Sequence, residues 1–94
     1  MSHLFDISGK VAVVTGGSRG IGLMIAQGFV EAGAKTYISS RKADVCNAVA
    51  EELSGSGQCI SIPADLGSEA GCRYLADEVA KREEQVHILV NNAG

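Results

Sequence analysis

Thr15-Gly16-Gly17-Ser18-Arg19-Gly20-Ile21-Gly22 follows the apolar run Val11-Ala12-Val13-Val14 and opens a stretch in which Ile21, Met24, Ile25 and Phe29 recur at helical spacing. The run before the glycines reads as a strand covered on both faces. The periodic stretch after them reads as a helix with those four residues in its apolar stripe and Gly33 as its stop. Strand, glycine-rich turn and helix, in that order, open a nucleotide-binding βαβ unit. A Cβ at Gly16 or Gly20 would stand between the main chain and a pyrophosphate, and one at Gly22 would push the helix off the strand. The unpaired N–H groups and positive dipole end of the helix then face the phosphates. The spacing is Gly-x-x-x-Gly-x-Gly, not the Gly-x-Gly-x-x-Gly of the commoner dinucleotide fingerprint. A flexible turn without a ligand is the alternative, and the flanking strand and helix argue against it.

Outward from this stretch the elements follow in regular alternation. Residues 1–10 read as a lead-in that lays Leu4, Phe5 and Ile7 against a sheet. Strand one is expected at 11–15, the glycine loop at 16–20 and the first helix at 20–32. Strand two falls at 34–39, where Tyr37 and Ile38 are strong strand formers. A second helix over 42–54 puts Val45, Cys46, Val49 and Leu53 on one face, and the Ser-Gly-Ser-Gly run at 54–57 ends it. Strand three is Cys59-Ile60-Ser61-Ile62, stopped by Pro63. Ser68 is the expected N-cap of a third helix running to residue 84, with Glu69 in its first turn and a core stripe of Cys72, Leu75, Ala76 and Val79. His87-Ile88-Leu89-Val90 is strand four and runs into Asn91-Asn92-Ala93-Gly94.

A βαβαβαβ pattern without linker or repeat predicts one α/β domain over residues 1–94, the N-terminal half of a Rossmann doubly wound parallel sheet. Right-handed crossovers step strands two and three to one side of strand one and return strand four to the other. The predicted strand order is therefore 3-2-1-4. Ligand belongs in the crevice outside the carboxyl ends of strands one and four, where the order reverses. The glycine loop and the Asn-Asn-Ala-Gly run both end there. Strand four keeps an open apolar edge, which invites pairing.

Composition excludes several functions. Hydrophobic content of 46% with 20% charged residues is ordinary for a globular domain and rules out disorder. No apolar run approaches the ~18 residues of a membrane span and no signal segment opens the chain, so the expected location is cytoplasmic. The net charge of −3 is uneven: residues 1–42 hold five basic and two acidic side chains, residues 43–94 three and nine. An acidic chain is a poor nucleic-acid binder, and local positive charge around the glycine loop suits a small phosphorylated ligand. Cys46, Cys59 and Cys72 lie 13 residues apart at apolar positions with no C-x-x-C pair. They read as buried free thiols without a metal or redox role.

An NAD site places a carboxylate about 20 residues past the loop, on the ribose 2′-hydroxyl. Here Arg41 stands 19 residues past Gly22, after Ser39-Ser40 and before Lys42. A carboxylate would repel a 2′-phosphate and a guanidinium grips it with two parallel hydrogen bonds, so the expected coenzyme is NADP(H). Arg19 would approach from the other side. The alternative is that Arg41 and Lys42 are solvated residues at a helix start. Asp65, just past strand three, is placed either to accept the exocyclic amine of an adenine or to close a turn.

Thr15-Gly16-x-x-x-Gly20-x-Gly22, Asp65-Leu66 and Asn91-Asn92-Ala93-Gly94, at these separations, resemble the short-chain dehydrogenase/reductase family over essentially the whole chain. Val14 to Gly22 looks most like the NADPH-dependent 3-oxoacyl reductases of that family. The resemblance implies that Ser18, Arg19 and Ile21 line the pyrophosphate and 2′-phosphate region and that Arg41 holds the 2′-phosphate. It implies that Asp65 and Leu66 flank the adenine, while Asn91, Ala93 and Gly94 contact the adenosine ribose and brace the central strands. It further implies carbonyl reduction by NADPH, a catalytic Ser, a Tyr with a Lys four residues beyond it, and usually a homotetramer. No Tyr-x-x-x-Lys is present: Tyr37 is followed at that offset by Arg41 and Tyr74 by Glu78. His3 and His87 have no partnered nucleophile, and Glu51-Glu52, Asp77-Glu78 and Glu83-Glu84 read as solvated helix faces. The expectation is a truncated cofactor-binding portion of an oxidoreductase, with no catalytic residues of its own and a carbonyl substrate only in a fuller form. A stand-alone nucleotide-binding or interaction module and a nonfunctional truncated product are the alternatives.

Overall fold

The computed structural model describes residues 7–16 and 20–92. Its elements are β1 (Val11–Thr15), α1 (Gly20–Glu31), β2 (Lys35–Ser39), α2 (Ala43–Leu53), a 3-10 turn (Ser54–Ser56), β3 (Cys59–Ser61), α3 (Glu69–Arg82) and β4 (Ile88–Asn91). The strands form one parallel sheet of order β3-β2-β1-β4, the expected doubly wound order. β1 pairs with β2 from Val11↔Lys35 to Thr15↔Ser39 and with β4 from Ala12↔Ile88 to Thr15↔Asn91. Every expected element forms, with its ends shifted by at most two residues. His3, Leu4 and Phe5 of the lead-in lie outside the described residues, and Ile7 is half-buried. Among the described residues, no helix is long and apolar enough to cross a membrane.

β1 is buried at every position because helices cover both of its faces. Val14, with Ile38 of β2, packs against Ala26 and Val30 of α1 and Cys46, Ala50 and Leu53 of α2. Val11 and Val13, with Tyr37, pack against Ile62 and against Leu75 and Val79 of α3. Side chains that alternate across a strand thus divide one apolar run between two cores. Each fully buried Val or Leu contributes roughly 1.5–3 kcal/mol, so packing against the sheet, more than intrinsic propensity, holds these short helices.

The helix stripes depart from expectation in an informative way. On α1 the buried residues are Gly22, Ala26 and Val30, while Ile21 and Met24 are 68% and 71% exposed. The start of α1 lies so close to β1 that only small residues fit between them, and the large ones turn to the flank. On α2 the buried face is Cys46, Ala50 and Leu53, and Val45 is exposed. On α3 only Leu75 and Val79 are buried, and Cys72 and Ala76 are exposed. The reading of Cys72 as a buried thiol is therefore corrected. Cys46 and Cys59 are buried, and desolvation, with Cys46 beside it, pushes the Cys59 thiol up to about 11. The cause of the difference is lateral: α3 covers β1 and β2 but not the same face of β4. There Cys72, Ala76, Val86 and Leu89 help to line an open apolar cleft of about 570 Å³, with Leu89 70% exposed.

Gly33 ends α1 at φ +94°, its N–H donating to Val30 O at 3.1 Å while Ala34 N–H donates to Phe29 O at 3.0 Å, the paired bonds of a Schellman motif. At the far end of α3, Glu83 accepts from the Tyr37 hydroxyl and pairs with Lys35 Nζ at 2.6 Å. Tyr37 is 1% exposed, so without this acceptor its hydroxyl would be buried unsatisfied. The bond from Lys35, and after it the bond from Tyr37, holds the Glu83 carboxyl below the ordinary carboxylate range. A group lowered in the folded state stabilises fully above its unfolded value, about 4.3, and loses that contribution as pH falls through its folded value. Glu83→Gln is therefore expected to flatten the acid limb of the stability profile. Urea midpoints from pH 7 to pH 3 check this, and parallel profiles for both proteins would refute it.

Candidate functional site

The sheet register brings Thr15, Ser39 and Asn91 level at the carboxyl rim. Gly16 follows Thr15 at φ +70°, with its N–H donating to Ser39 O at 2.8 Å, and Gly20 opens α1 at φ +63°. Both conformations are ones a Cβ disfavours. A Cβ on Gly20 would meet no described atom within 4 Å beyond its chain neighbours. Gly22 is the opposite case: a Cβ there would stand 2.1 Å from Gly16 O and 2.8 Å from Asn92 Nδ2. Its bareness lets the helix rest on the turn and on the end of β4. The first turn of α1 carries no acidic side chain, so nothing in the helix offsets its positive end. Ser18 and Arg19 lie outside the described residues, as do Ala93 and Gly94.

Thr15 joins the two strand ends. Its Oγ1 donates toward Asn91 Oδ1 at 3.0 Å and Val90 O at 3.3 Å, and it accepts from Asn92 N–H at 3.0 Å. Neither Thr15 nor Asn92 stands among the expected binding residues. Their signal, a polar residue ending an apolar strand and a doubled Asn, gains meaning only when the two ends are known to meet.

On the other side of the loop, Ser39 is buried and its Oγ donates to Ile62 O at 2.6 Å, drawing the chain after β3 to the end of β2. Ser40 Oγ is buried with no hydrogen-bond partner among the described residues, an unfavourable state for a hydroxyl. Arg41 and Lys42 follow, both exposed and neither in an ion pair with a described residue. α2 begins there with Lys42 at its N-cap and no side-chain cap. Ser40, Arg41 and Lys42 thus lead into the start of α2, whose first turn also carries Asp44.

Asp65 Oδ1 accepts from Gly67 N–H at 3.1 Å, and its carbonyl accepts from Ser68 N–H at 3.2 Å and Ser68 Oγ at 3.1 Å. One carboxylate oxygen thus closes a turn, the second of the two expected roles. Leu66 is half-buried beside it. The remaining titratable candidates are elsewhere. His87 Nδ1 accepts from Val11 N–H at 3.0 Å, at the amino end of the sheet. The Tyr37 hydroxyl is held by Glu83, and Tyr74 lies beside Asp77 and Lys81 on the exposed side of α3. Among the described residues no group of three or more His, Cys, Asp or Glu could hold a metal ion.

This rim and sheet have relatives. Residues 10–94 match the family model of the short chain dehydrogenases, and the chain belongs to that family. It is 53% identical over 94 residues to the rhamnolipids biosynthesis 3-oxoacyl-(acyl-carrier-protein) reductase of Pseudomonas aeruginosa, covering 100% of this chain and 37% of that protein. It is 44% identical over 88 residues to an NADP-dependent (R)-specific alcohol dehydrogenase of Lentilactobacillus kefiri, covering 94% of this chain and 35% of the other. A solved Pseudomonas aeruginosa RhlG/NADP active-site complex superposes with a TM-score of 0.95 at 53% identity, over 100% of this chain and 38% of that one. The hydroxysteroid dehydrogenase from Escherichia coli does so at 0.92 and 39% identity, over 100% and 40%. The chain spans roughly a third of the length of the relatives it matches.

Thr15→Val keeps the shape of the side chain and removes its hydrogen bonds, leaving Asn92 N–H without its acceptor. The substitution is expected to destabilise the chain by about 1–3 kcal/mol and to speed hydrogen exchange at the Asn92 amide. Unchanged exchange there would show that Thr15 does not fasten the rim.

Proposed function

We propose that this chain binds NADP(H) across the carboxyl rim and forms the coenzyme-binding part of a short-chain oxidoreductase that reduces a carbonyl, with a 3-oxoacyl thioester as substrate class. The observation that carries the coenzyme choice is the run Ser40, Arg41 and Lys42, where cations and a buried hydroxyl have no hydrogen-bond or ion-pair partner among the described residues. A 2′-phosphate supplies what they lack. The NADP named in the RhlG complex and in the Lentilactobacillus enzyme supports the same choice, and the Pseudomonas reductase supports the substrate class.

On this reading Gly16, Gly20 and the first turn of α1 cradle the diphosphate, and Gly22 keeps that turn against the strand. Ser18, Arg19 and Ile21 border it, Arg41 takes the 2′-phosphate, Asp65 and Leu66 flank the adenine, and Asn91, Ala93 and Gly94 meet the ribose. The nicotinamide supplies the hydride, and the share of this chain is to bind and orient it. No catalytic role is assigned to Tyr37, whose hydroxyl is held by Glu83, or to Tyr74 on the outer side of α3.

Fluorescence titration tests the assignment. Arg41→Ala is expected to weaken NADPH by about 1.5–3 kcal/mol, roughly ten- to hundredfold, and to leave NADH unchanged. Equal affinity of the unsubstituted chain for the two coenzymes, or no loss in the variant, would refute it.

A second reading rests on β4, whose outer side has no partner among the described residues and whose Leu89 is 70% exposed beside the apolar cleft. The chain is then a nucleotide-binding module that joins another polypeptide through this strand. Concentration-dependent association in size-exclusion chromatography, dispersed by Leu89→Lys, would support it. A monomer at every concentration would count against it.

A further inference from the structure

Gly71 lies in the first turn of α3, against the loop that carries Asp65 and Leu66. A Cβ on it would stand 1.8 Å from Asp65 O, 2.6 Å from Asp65 C and 3.0 Å from Asp65 N. All three are main-chain atoms, so relief would require moving the loop and not merely turning a side chain. Gly71 is not among the glycines of positive φ, and within a helix alanine is ordinarily the more favourable residue. Its own backbone therefore does not ask for glycine. Its neighbour does.

The same turn grips the loop at further points. Ser68 Oγ accepts from Gly71 N–H at 3.0 Å and donates to Asp65 O at 3.1 Å. Asp65 Oδ1 is fixed by Gly67 N–H, and Cys72 Sγ donates to Leu66 O at 3.4 Å. The two residues read as flanking the adenine are thus both seated on the start of α3, and Gly71 sets how deeply. We propose that Gly71 is a positioning residue for coenzyme recognition: its missing side chain lets the Asp65 main chain settle on α3, so that Asp65 Oδ2 is aimed at the exocyclic amine of the adenine. This deepens, and rests on, the reading of the rim as an NADP(H) site.

The test compares NADPH with its deamino analogue, in which a carbonyl oxygen replaces that amine, by fluorescence titration of the unsubstituted chain, Gly71→Ala and Ser68→Ala. The unsubstituted chain is expected to prefer NADPH by about tenfold, the scale of one hydrogen bond to a charged group. In Gly71→Ala the preference is expected to fall toward unity, chiefly through lost NADPH affinity. Ser68→Ala preserves the room beside Gly71 and removes only the hydroxyl clamp, so an intermediate preference is expected even if Gly71→Ala fails to fold. Equal losses for both ligands, or an unaltered preference, in Gly71→Ala would overturn the positioning role and leave the coenzyme reading standing. An unaltered preference in a folded Ser68→Ala would show that the seat of the loop on α3 does not govern the adenine contact and would overturn it likewise. An unsubstituted chain that binds neither ligand, or both alike, would overturn the adenine contact and the proposal with it.

Discussion

The place of α1 depends on a contact at which no side chain intervenes. At Gly22 the helix comes so near the Gly16 carbonyl that a single added carbon would overlap it, and the Asn92 side chain closes the same gap. A Cβ has no rotamer by which to escape a carbonyl oxygen. The rest of the helix inherits this closeness, with Ala26 and Val30 continuing the sheet-facing row and Ile21 and Met24 turned aside. Glycine inside a helix costs about 1 kcal/mol relative to alanine. That is small beside the packing of Val14 and Ile38, which a displaced α1 would disturb.

The two ends of the sheet are built by different rules. At the amino end, Tyr37, Lys35 and Glu83 satisfy one another, and His87 takes the Val11 N–H that would otherwise lack a strand partner. At the carboxyl end, Thr15 and Ser39 fasten neighbouring strands, yet Ser40 Oγ, Arg41 and Lys42 are left without described partners. Among the described residues, polar groups are thus satisfied at one edge of the sheet and left open at the other. Charge follows the same division. The acidic surplus sits in the second half of the sequence, and much of α3 answers it internally through Glu78 with Lys81 and Arg82 and Glu69 with Arg73.

Much of this was legible in the residues themselves. β1 reads as a continuous apolar run because both its faces are covered, and the glycine spacing marks the turn because the conformations at Gly16 and Gly20 are local needs. Strand order followed from right-handed crossovers together with the doubly wound reading, in which β4 returns to the other side of β1. The helix faces were less legible, because an apolar residue declares only that it can be buried. Cys72 and Ala76 sit on the same turns as Leu75 and Val79, but α3 ends its cover before β4. Asp65 could close a turn or meet a ligand by its sequence; the structure shows the turn, made by one oxygen, and the hold that Gly71 and Ser68 keep on its main chain.

By itself the sequence determined the alternation of strands and helices, the crossover order, the glycine turn and the cation that follows β2, since each is governed by residues a few positions apart. Only the tertiary structure decided which side chains lie between layers, that Thr15 fastens Asn91 across 76 positions, and that the Ser40 hydroxyl is buried with no partner among the described residues. Those outcomes depend on the distance between elements remote in the chain, and that distance is set by the packing of the whole sheet.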